Sequence, residues 1–320
     1  MMLRALKATR PYIAIARPDH WFKNGFMVVG IFLAFFVDPT IEWPTIQFGL
    51  ALLATCLVAS SNYVINEILD ASSDRAHPTK KDRPAASGKI KTPIAIFEWV
   101  LLVGLGLFLS ACINQAFLLT MVAFVGMAII YNVPPIRSKD LVFLDVLTES
   151  INNPIRLFLG WFVLIPTKIP PLSLIIAYWM LGAFFMAIKR LAEIRDFKNK
   201  QIASNYRKSF QFYTQDNLLG SAIYYSTMSS LFFGIFLLRY HLELVLITPL
   251  VTGLFAYYLI LGLRENSLTM RPEKLYQDTP FLIYIAIFIT CVLLLLYVRI
   301  PFLYDLFRVE PTMVDPLWVF

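Results

Sequence analysis

Nine apolar segments, separated by loops of alternating charge, leave this chain few ways to fold. The segments fall at about 24–37, 46–65, 94–111, 117–131, 146–165, 171–189, 218–238, 244–262 and 280–298. Most approach the roughly 20 apolar residues that a helix needs to cross a bilayer, and the short first one crosses if it is extended or tilted. The loops 1–23, 66–93, 132–145, 189–216 and 263–279 hold 23 of the 28 Lys and Arg residues. The other loops hold only Lys168, Arg239, Arg299 and Arg308, and Arg156 lies within a span. Basic loops stay in the cytoplasm, so this alternation predicts a cytoplasmic N-terminus and a C-terminus outside. Only 15% of residues are charged and the mean hydropathy is +0.66, more apolar than one soluble core can hide. The expected fold is an all-α integral membrane protein: one domain over 1–320, a single bundle of about nine transmembrane helices in the cell membrane.

The same features exclude several functions. The opening "MMLRALKATRPYIAIARPDHWFKN" spreads its bases through the segment and no small-residue cleavage site follows, so it does not read as a cleavable signal. Cys56, Cys112 and Cys291 sit in or at the ends of apolar runs without metal-ligand spacing and read as small apolar side chains. The net charge of +7 is explained by orientation and anionic headgroups, and nucleic acid is not expected as a partner. Gly104 and Gly106 in "VGLGLF" have no preceding strand and read as helix-packing glycines rather than a nucleotide loop. His20 and His241 have no acid or cysteine at ligand spacing and read as interfacial.

Chemistry concentrates in the cytoplasmic loops. In "SNYVINEILDASSDRAHPTKKDRP", Asn66, Asp70 and Asp74 recur every fourth residue and line one face if the second span stays helical until Pro78 stops it. Glu67 lies beside Asp70 at i+3. Carboxylates crowded at a membrane boundary repel one another and suit a divalent cation such as Mg2+, which takes oxygen ligands and completes its shell with diphosphate oxygens. The following bases, Arg75, His77, Lys80, Lys81 and Arg83, complement the remaining negative charge of such a ligand. A second loop, "AIKRLAEIRDFKNK", sets Lys189 one turn before Glu193 and places Asp196 at i+3 from Glu193. Two acidic loops on one side of a bundle suit one diphosphate held through metal. A third, "YNVPPIRSKDLVFLD", adds Tyr131, Arg137, Lys139 and Asp145 beside two turn-forming prolines.

These residues resemble the UbiA superfamily of intramembrane prenyltransferases. The first aspartate-rich motif of that family, N-D-x-x-D-x-x-x-D, is matched by "NEILDASSD" with Glu67 in place of the usual Asp, and "RPAASG" matches its R-P-x-x-x-G. "YNVPPIRSK" is similar to the family's tyrosine and lysine segment, at Tyr131 and Lys139. The second motif departs from the usual D-x-x-x-D, since only two residues separate Glu193 and Asp196, so which second-loop acids bind metal stays open. The resemblance implies transfer of a polyprenyl group from a polyprenyl diphosphate to an aromatic or lipid acceptor, with release of diphosphate. It implies Mg2+ on Asn66, Glu67, Asp70, Asp74, Glu193 and Asp196, and catalysis by Asp70, Asp74, Tyr131 and Lys139. Diphosphate binding falls to Arg75, His77, Lys80, Lys81, Arg83, Arg137, Lys139 and Lys189.

Three stretches, "RPDHWFKN", "HPTKKDRPAASG" and "KRLAEI", also resemble a second branch of that superfamily. Its members transfer the phosphoribosyl group of phosphoribosyl diphosphate to a polyprenyl phosphate. "YNVPPIRSKDLVFLD" is closer to the prenyl-transferring members, and on balance prenyl transfer is the expected reaction. A transporter is the alternative of another class: Asn152, Asn153 and Arg156 in the fifth span, broken by Pro154, would line a path. The acids gather at helix ends rather than the midplane and the halves show no repeat, so these residues read instead as a helix kink with its freed carbonyl satisfied by amides.

Overall fold

The computed structural model describes residues 2–75, 80–196 and 207–309. These form α1 (Met2–Ala16), a 3-10 segment (Pro18–Phe26), α2 (Met27–Val37), α3 (Thr45–Asp74), α4 (Thr92–Ala111) and α5 (Gln115–Asn132). Next come α6 (Leu144–Ser150), α7 (Asn152–Leu164), α8 (Leu172–Asp196), α9 (Gln215–Tyr240), α10 (Thr248–Leu263), α11 (Thr279–Tyr297) and α12 (Pro301–Phe307). Eight helical runs among the described residues are long and apolar enough to cross a bilayer. The short first segment gains length from the helix before it and becomes the run Thr9–Val37. The expected fifth span is instead two helices, α6 of 7 residues and α7 of 13, too short to be counted with the others. The break falls at "INNP", where Pro154 contributes no backbone donor and the Asn152 amide donates to the Glu149 carbonyl at 3.0 Å.

The chain divides into two compact units, one running to Leu141 and including Ile155–Ile169, the other comprising Val142–Pro154 and the residues from Pro170 onward. In the first unit, α3 is the spine. The "RPDHWFKN" stretch lies along one face of it: Asn24 donates to Cys56 Sγ, Trp21 to Ser60 Oγ, His20 packs edge-on against Tyr63, and Arg17 reaches Glu67. Those α3 positions are spaced four, three and four residues apart, the stripe that a 3.6-residue period predicts. Gly106 of α4 packs so closely on α3 that a Cβ there would stand 2.5 Å from Val58 Cγ2, whereas Gly104 faces open space. Gly30 of α2 and Gly160 of α7 sit against each other's backbones at Leu157 and Met27, the close approach that small residues permit. Arg156 of α7 is buried here, donating to Asn24 Oδ1 at 3.1 Å and lying over the Phe124 ring. It therefore tethers helices.

The second unit is built on α8 and α9. Phe184, Ile188 and Leu191 of α8 meet Leu218, Ala222 and Tyr225 of α9 in a buried core, with Phe255 and Tyr258 of α10 closing it. Gly262 of α10 rests on Ile188, and Gly182 of α8 on Asn153 and Ser150. At the far end of α9, Glu243 is fully buried and accepts from the Ile300 amide and the Tyr304 hydroxyl, which fastens α12.

The charge pattern leads to a topology prediction. With the three native cysteines replaced, single cysteines at exposed Lys81 and Tyr297 are expected to react with a membrane-impermeant maleimide from opposite faces of the membrane. Labelling of both from one face would refute the assigned orientation.

Candidate active site

The first cluster forms where α3 ends, four residues before Pro78. Glu67, Asp70 and Asp74 follow one another along its last turns, and each carboxylate is engaged by a cation. Lys139 Nζ lies 2.6 Å and Arg137 2.8 Å from Asp70 Oδ1, while Arg83 lies 2.7 Å from Asp74 Oδ2. Glu67, Asp74 and Lys139 are buried to 2%, 4% and 6% exposure, so these charges interact with little solvent between them. Asn132, the last residue of α5, is the hub: its Oδ1 accepts from Asn66 at 2.6 Å and from Lys139 at 2.9 Å. Arg137 also bonds Asp140 and the Asn132 carbonyl. Tyr131 presents its ring 6.0 Å from Lys139 Nζ.

Backbone strain marks the same place. Arg17 and Arg137 adopt φ of 48° and 33°, a region that bulky side chains avoid unless the surroundings impose it. "RPAASG" makes its turn with Gly88 at φ 72°, where glycine carries no penalty. Ala85 of that turn donates its backbone N–H to Glu67 Oε1 at 3.2 Å, and Arg75 donates to the Ala86 carbonyl. Glu67, expected to bind metal, thus holds the turn that carries Arg83. Lys80 is half-buried and Lys81 exposed. His77 lies outside the described residues.

The second cluster belongs to the second unit and is organised by Arg190. Its guanidinium donates to Asp145 Oδ2 at 3.1 Å, Glu193 Oε2 at 2.9 Å and Glu149 Oε2 at 3.0 Å. Asp145, at 0% exposure, also accepts from the Tyr213 hydroxyl at 2.6 Å and has Arg207 at 3.6 Å. Burial first, and then the neighbouring Asp145 carboxylate, push the Tyr213 phenol far above its ordinary range, so it remains an O–H donor. Of the expected pair, Glu193 is in this cluster, but its partner is Arg190 on the preceding turn. Asp196 is exposed at the end of α8 and Lys189 is half-buried. Sequence reasoning missed Arg190, Glu149, Tyr213 and Asn132. Only Arg190 carried a local signal, its i,i+3 spacing to Glu193.

Among the described residues, no three His, Cys, Asp or Glu side chains gather closely enough to cage a metal ion. Mg2+ commonly takes only one or two carboxylates and draws its other ligands from phosphate and water. Asp70 and Asp74, one turn apart on α3 with Asn66 a turn earlier, are the side chains on this face that could hold such an ion.

The match to known proteins follows this geometry. The UbiA prenyltransferase family model covers residues 25–275, from the end of the "RPDHWFKN" stretch past both clusters. The chain belongs to the UbiA prenyltransferase family. Its fold matches a UbiA homolog from Archaeoglobus fulgidus bound to GPP and Mg2+, with a TM-score of 0.67 and 21% identity over 90% of this chain and 100% of that one. By sequence it is 28% identical over 202 residues to the nodulation protein NoeC of Azorhizobium caulinodans, covering 62% of each. It is 29% identical over 211 residues to the decaprenyl-phosphate phosphoribosyltransferase of Mycolicibacterium smegmatis, covering 64% of this chain and 63% of that protein. The matched stretch thus spans under two thirds of the length of these curated relatives. As a UbiA-family protein with these apolar helices, the chain is a multi-pass membrane protein.

Proposed function

We propose that this UbiA-family protein transfers the phosphoribosyl group of phosphoribosyl diphosphate to a polyprenyl phosphate at the cell membrane, with Mg2+ and release of diphosphate. The observation that carries this reading is the number of cations around the Asp70 and Asp74 pair. Arg17, Arg83, Arg137 and Lys139 all face carboxylates on the last turns of α3, and Arg75 is tied into the "RPAASG" turn that Glu67 holds. One diphosphate bound through metal needs fewer. Phosphoribosyl diphosphate adds a 5-phosphate, and its acceptor adds another phosphate. The similarity to a decaprenyl-phosphate phosphoribosyltransferase points the same way. The second reading, prenyl transfer from a polyprenyl diphosphate to an aromatic or lipid acceptor, is favoured by the fold match to a homolog bound to GPP and Mg2+.

Asp70, Asp74 and Asn66 hold Mg2+ in this scheme, which when bound neutralises charge on the diphosphate. Arg83, Arg137 and Lys139 exchange their carboxylate partners for diphosphate oxygens and stabilise the leaving group as the bond from ribose C1 to the diphosphate oxygen breaks. The positive charge left on the ribose ring is met by a phosphate oxygen of the lipid, which forms the new C1–O bond. One bond breaks and one forms, so no oxidant or general base is needed. Asn132 keeps Lys139 aimed at the reacting end.

The deciding experiment incubates the purified protein and Mg2+ with labelled phosphoribosyl diphosphate plus polyprenyl phosphate, or with labelled polyprenyl diphosphate plus aromatic acceptors. Phosphoribosylated lipid is the expected product, and a prenylated acceptor would replace this reading with the second. Lys80→Ala is expected to weaken binding of phosphoribosyl diphosphate about ten- to a hundredfold, the loss of one charged hydrogen bond. An unchanged KM would remove Lys80 from the donor site.

A further inference from the structure

Glu67 replaces the usual Asp of its motif, and the longer side chain has a use of its own on α3. It ends the α3 stripe along which "RPDHWFKN" lies, after Cys56, Ser60 and Tyr63. Glu67 is 2% exposed, and both carboxylate oxygens have a partner. Oε1 accepts the Ala85 N–H at 3.2 Å, and Oε2 lies 3.6 Å from the Arg17 guanidinium. Asp70 and Asp74 are held differently, by the side-chain heads of Lys139, Arg137 and Arg83, which diphosphate oxygens can take over. If Glu67 turned to a metal, it would instead leave a backbone N–H of the buried Ala85 unpaired.

That N–H belongs to the turn that carries Arg83. Inside the turn, the Arg83 N–H bonds the Lys80 carbonyl at 3.0 Å, and the Ser87 N–H bonds the Arg83 carbonyl at 2.9 Å. The helix end grips the turn twice: Glu67 takes the Ala85 N–H, and Arg75 donates to the Ala86 carbonyl at 3.3 Å. Only Pro84 separates Ala85 from Arg83, and a proline ring fixes φ at about −65°. The hold at Ala85 therefore reaches Arg83, whose guanidinium stands 2.7 Å from Asp74.

We infer that Glu67 is a positioning residue for the diphosphate and not a ligand of its metal: it anchors the "RPAASG" turn so that Arg83 stands ready beside Asp74. The inference rests on a diphosphate at the Asp70 and Asp74 pair, which both proposed reactions share. Reach is what matters at this position. An Asp would stop one carbon–carbon bond short, about 1.5 Å, and the 3.2 Å contact to Ala85 would pass out of hydrogen-bonding range. A Gln keeps the reach and an acceptor oxygen while removing the charge. What it forfeits is the pairing with Arg17, a long contact at 3.6 Å, and Arg17 keeps its place over the Tyr63 ring at 5.6 Å.

Glu67→Asp and Glu67→Gln thus make a crossed test, read on the full chain in detergent with Mn2+ in place of Mg2+ and inorganic diphosphate as the probe. In Glu67→Asp, amide exchange of the peptide bearing Ala85 is expected to quicken, and Mn2+-dependent diphosphate binding to weaken, each roughly tenfold, as for one charged hydrogen bond. Glu67→Gln is expected to keep both within about threefold of wild type, and both variants bind Mn2+ alone within the same margin. A metal ligand gives the opposite pattern, with Mn2+ binding kept by the shorter carboxylate and weakened by the amide. Wild-type behaviour of Glu67→Asp, or a comparable loss of Mn2+ or diphosphate affinity in Glu67→Gln, would overturn the inference. Neither readout needs turnover. Failure of phosphoribosyl transfer therefore sinks the proposed reaction alone, and failure of the crossed pattern sinks the role of Glu67 alone.

Discussion

Asp70→Ala is expected to lower turnover by roughly a hundred- to a thousandfold while the protein still purifies as a folded, monodisperse species. Two losses combine at this residue. Its carboxylate is half of the proposed Mg2+ donor pair, and it also holds Lys139 at 2.6 Å and Arg137 at 2.8 Å. Without it both cations lose the partner that orients them before substrate arrives, which is preorganisation forfeited at the leaving group. Asp70→Asn distinguishes the contributions. It keeps the size and one acceptor oxygen but removes the negative charge, and it is expected to be nearly as impaired as Ala. Asp74→Ala should behave similarly, because Arg83 depends on it at 2.7 Å. Initial rates at saturating Mg2+ for both alanine variants, accompanied by a melting curve, provide the check. Activity within tenfold of wild type in both would remove the metal assignment.

The largest effect on stability is expected from Arg190→Met, a neutral replacement of similar length. Arg190 is 2% exposed and bonds three carboxylates, of which Asp145 is wholly buried. Its removal leaves Asp145 with neutral donors from Tyr213 and Ser209 and with Arg207 at 3.6 Å. Deleting one partner of a buried ion pair costs about 3–5 kcal/mol, because the remaining charge stays desolvated. Thermal unfolding in detergent reads this as a lowered midpoint. Combining Arg190→Met with Asp145→Asn should recover part of the loss, since the double variant no longer buries an uncompensated carboxylate. A midpoint unchanged within about 2 °C would show that the network contributes little, given that each kcal/mol moves a unit of this size by ~2–4 °C.

The sequence disclosed the parts of this protein that depend on local spacing and withheld those that depend on long-range packing. Asn66, Asp70 and Asp74 were readable because a helix places every fourth residue on one face, and α3 does extend through all of them. The partners of Asp70 lie 67 and 69 positions away, and no periodicity signals that Arg137 and Lys139 converge on the same oxygen. Glu67 illustrates the difference. Its place in the motif suggested a metal ligand, but its bond to Ala85 N depends on the path of the intervening turn. The fifth segment was apolar enough to read as one span, yet "INNP" divides it, with each part in a different unit. Arg190 was overlooked because its value lies in being enclosed: Asp145 and Glu149 come from α6, over 40 residues earlier.

One consequence follows from the length of α3. Its 30 residues extend about 45 Å at 1.5 Å each, well beyond the ~30 Å of a hydrocarbon layer. Asp70 and Asp74 bracket the final turn, in the portion left over once the apolar run from 46 to 65 is submerged. The chemistry is thereby stationed on a shoreline between two reservoirs. In the proposed reaction the hydrophilic sugar diphosphate arrives by three-dimensional diffusion and is counted in molar units, whereas its lipid partner arrives by two-dimensional diffusion and is counted as a mole fraction of the sheet. Diluting the sheet with inert lipid at constant total acceptor should therefore slow the reaction, while enlarging the aqueous volume at constant donor concentration should leave it unchanged. Turnover in the proposed reaction would answer to the crowding of a surface as much as to the contents of the adjoining water.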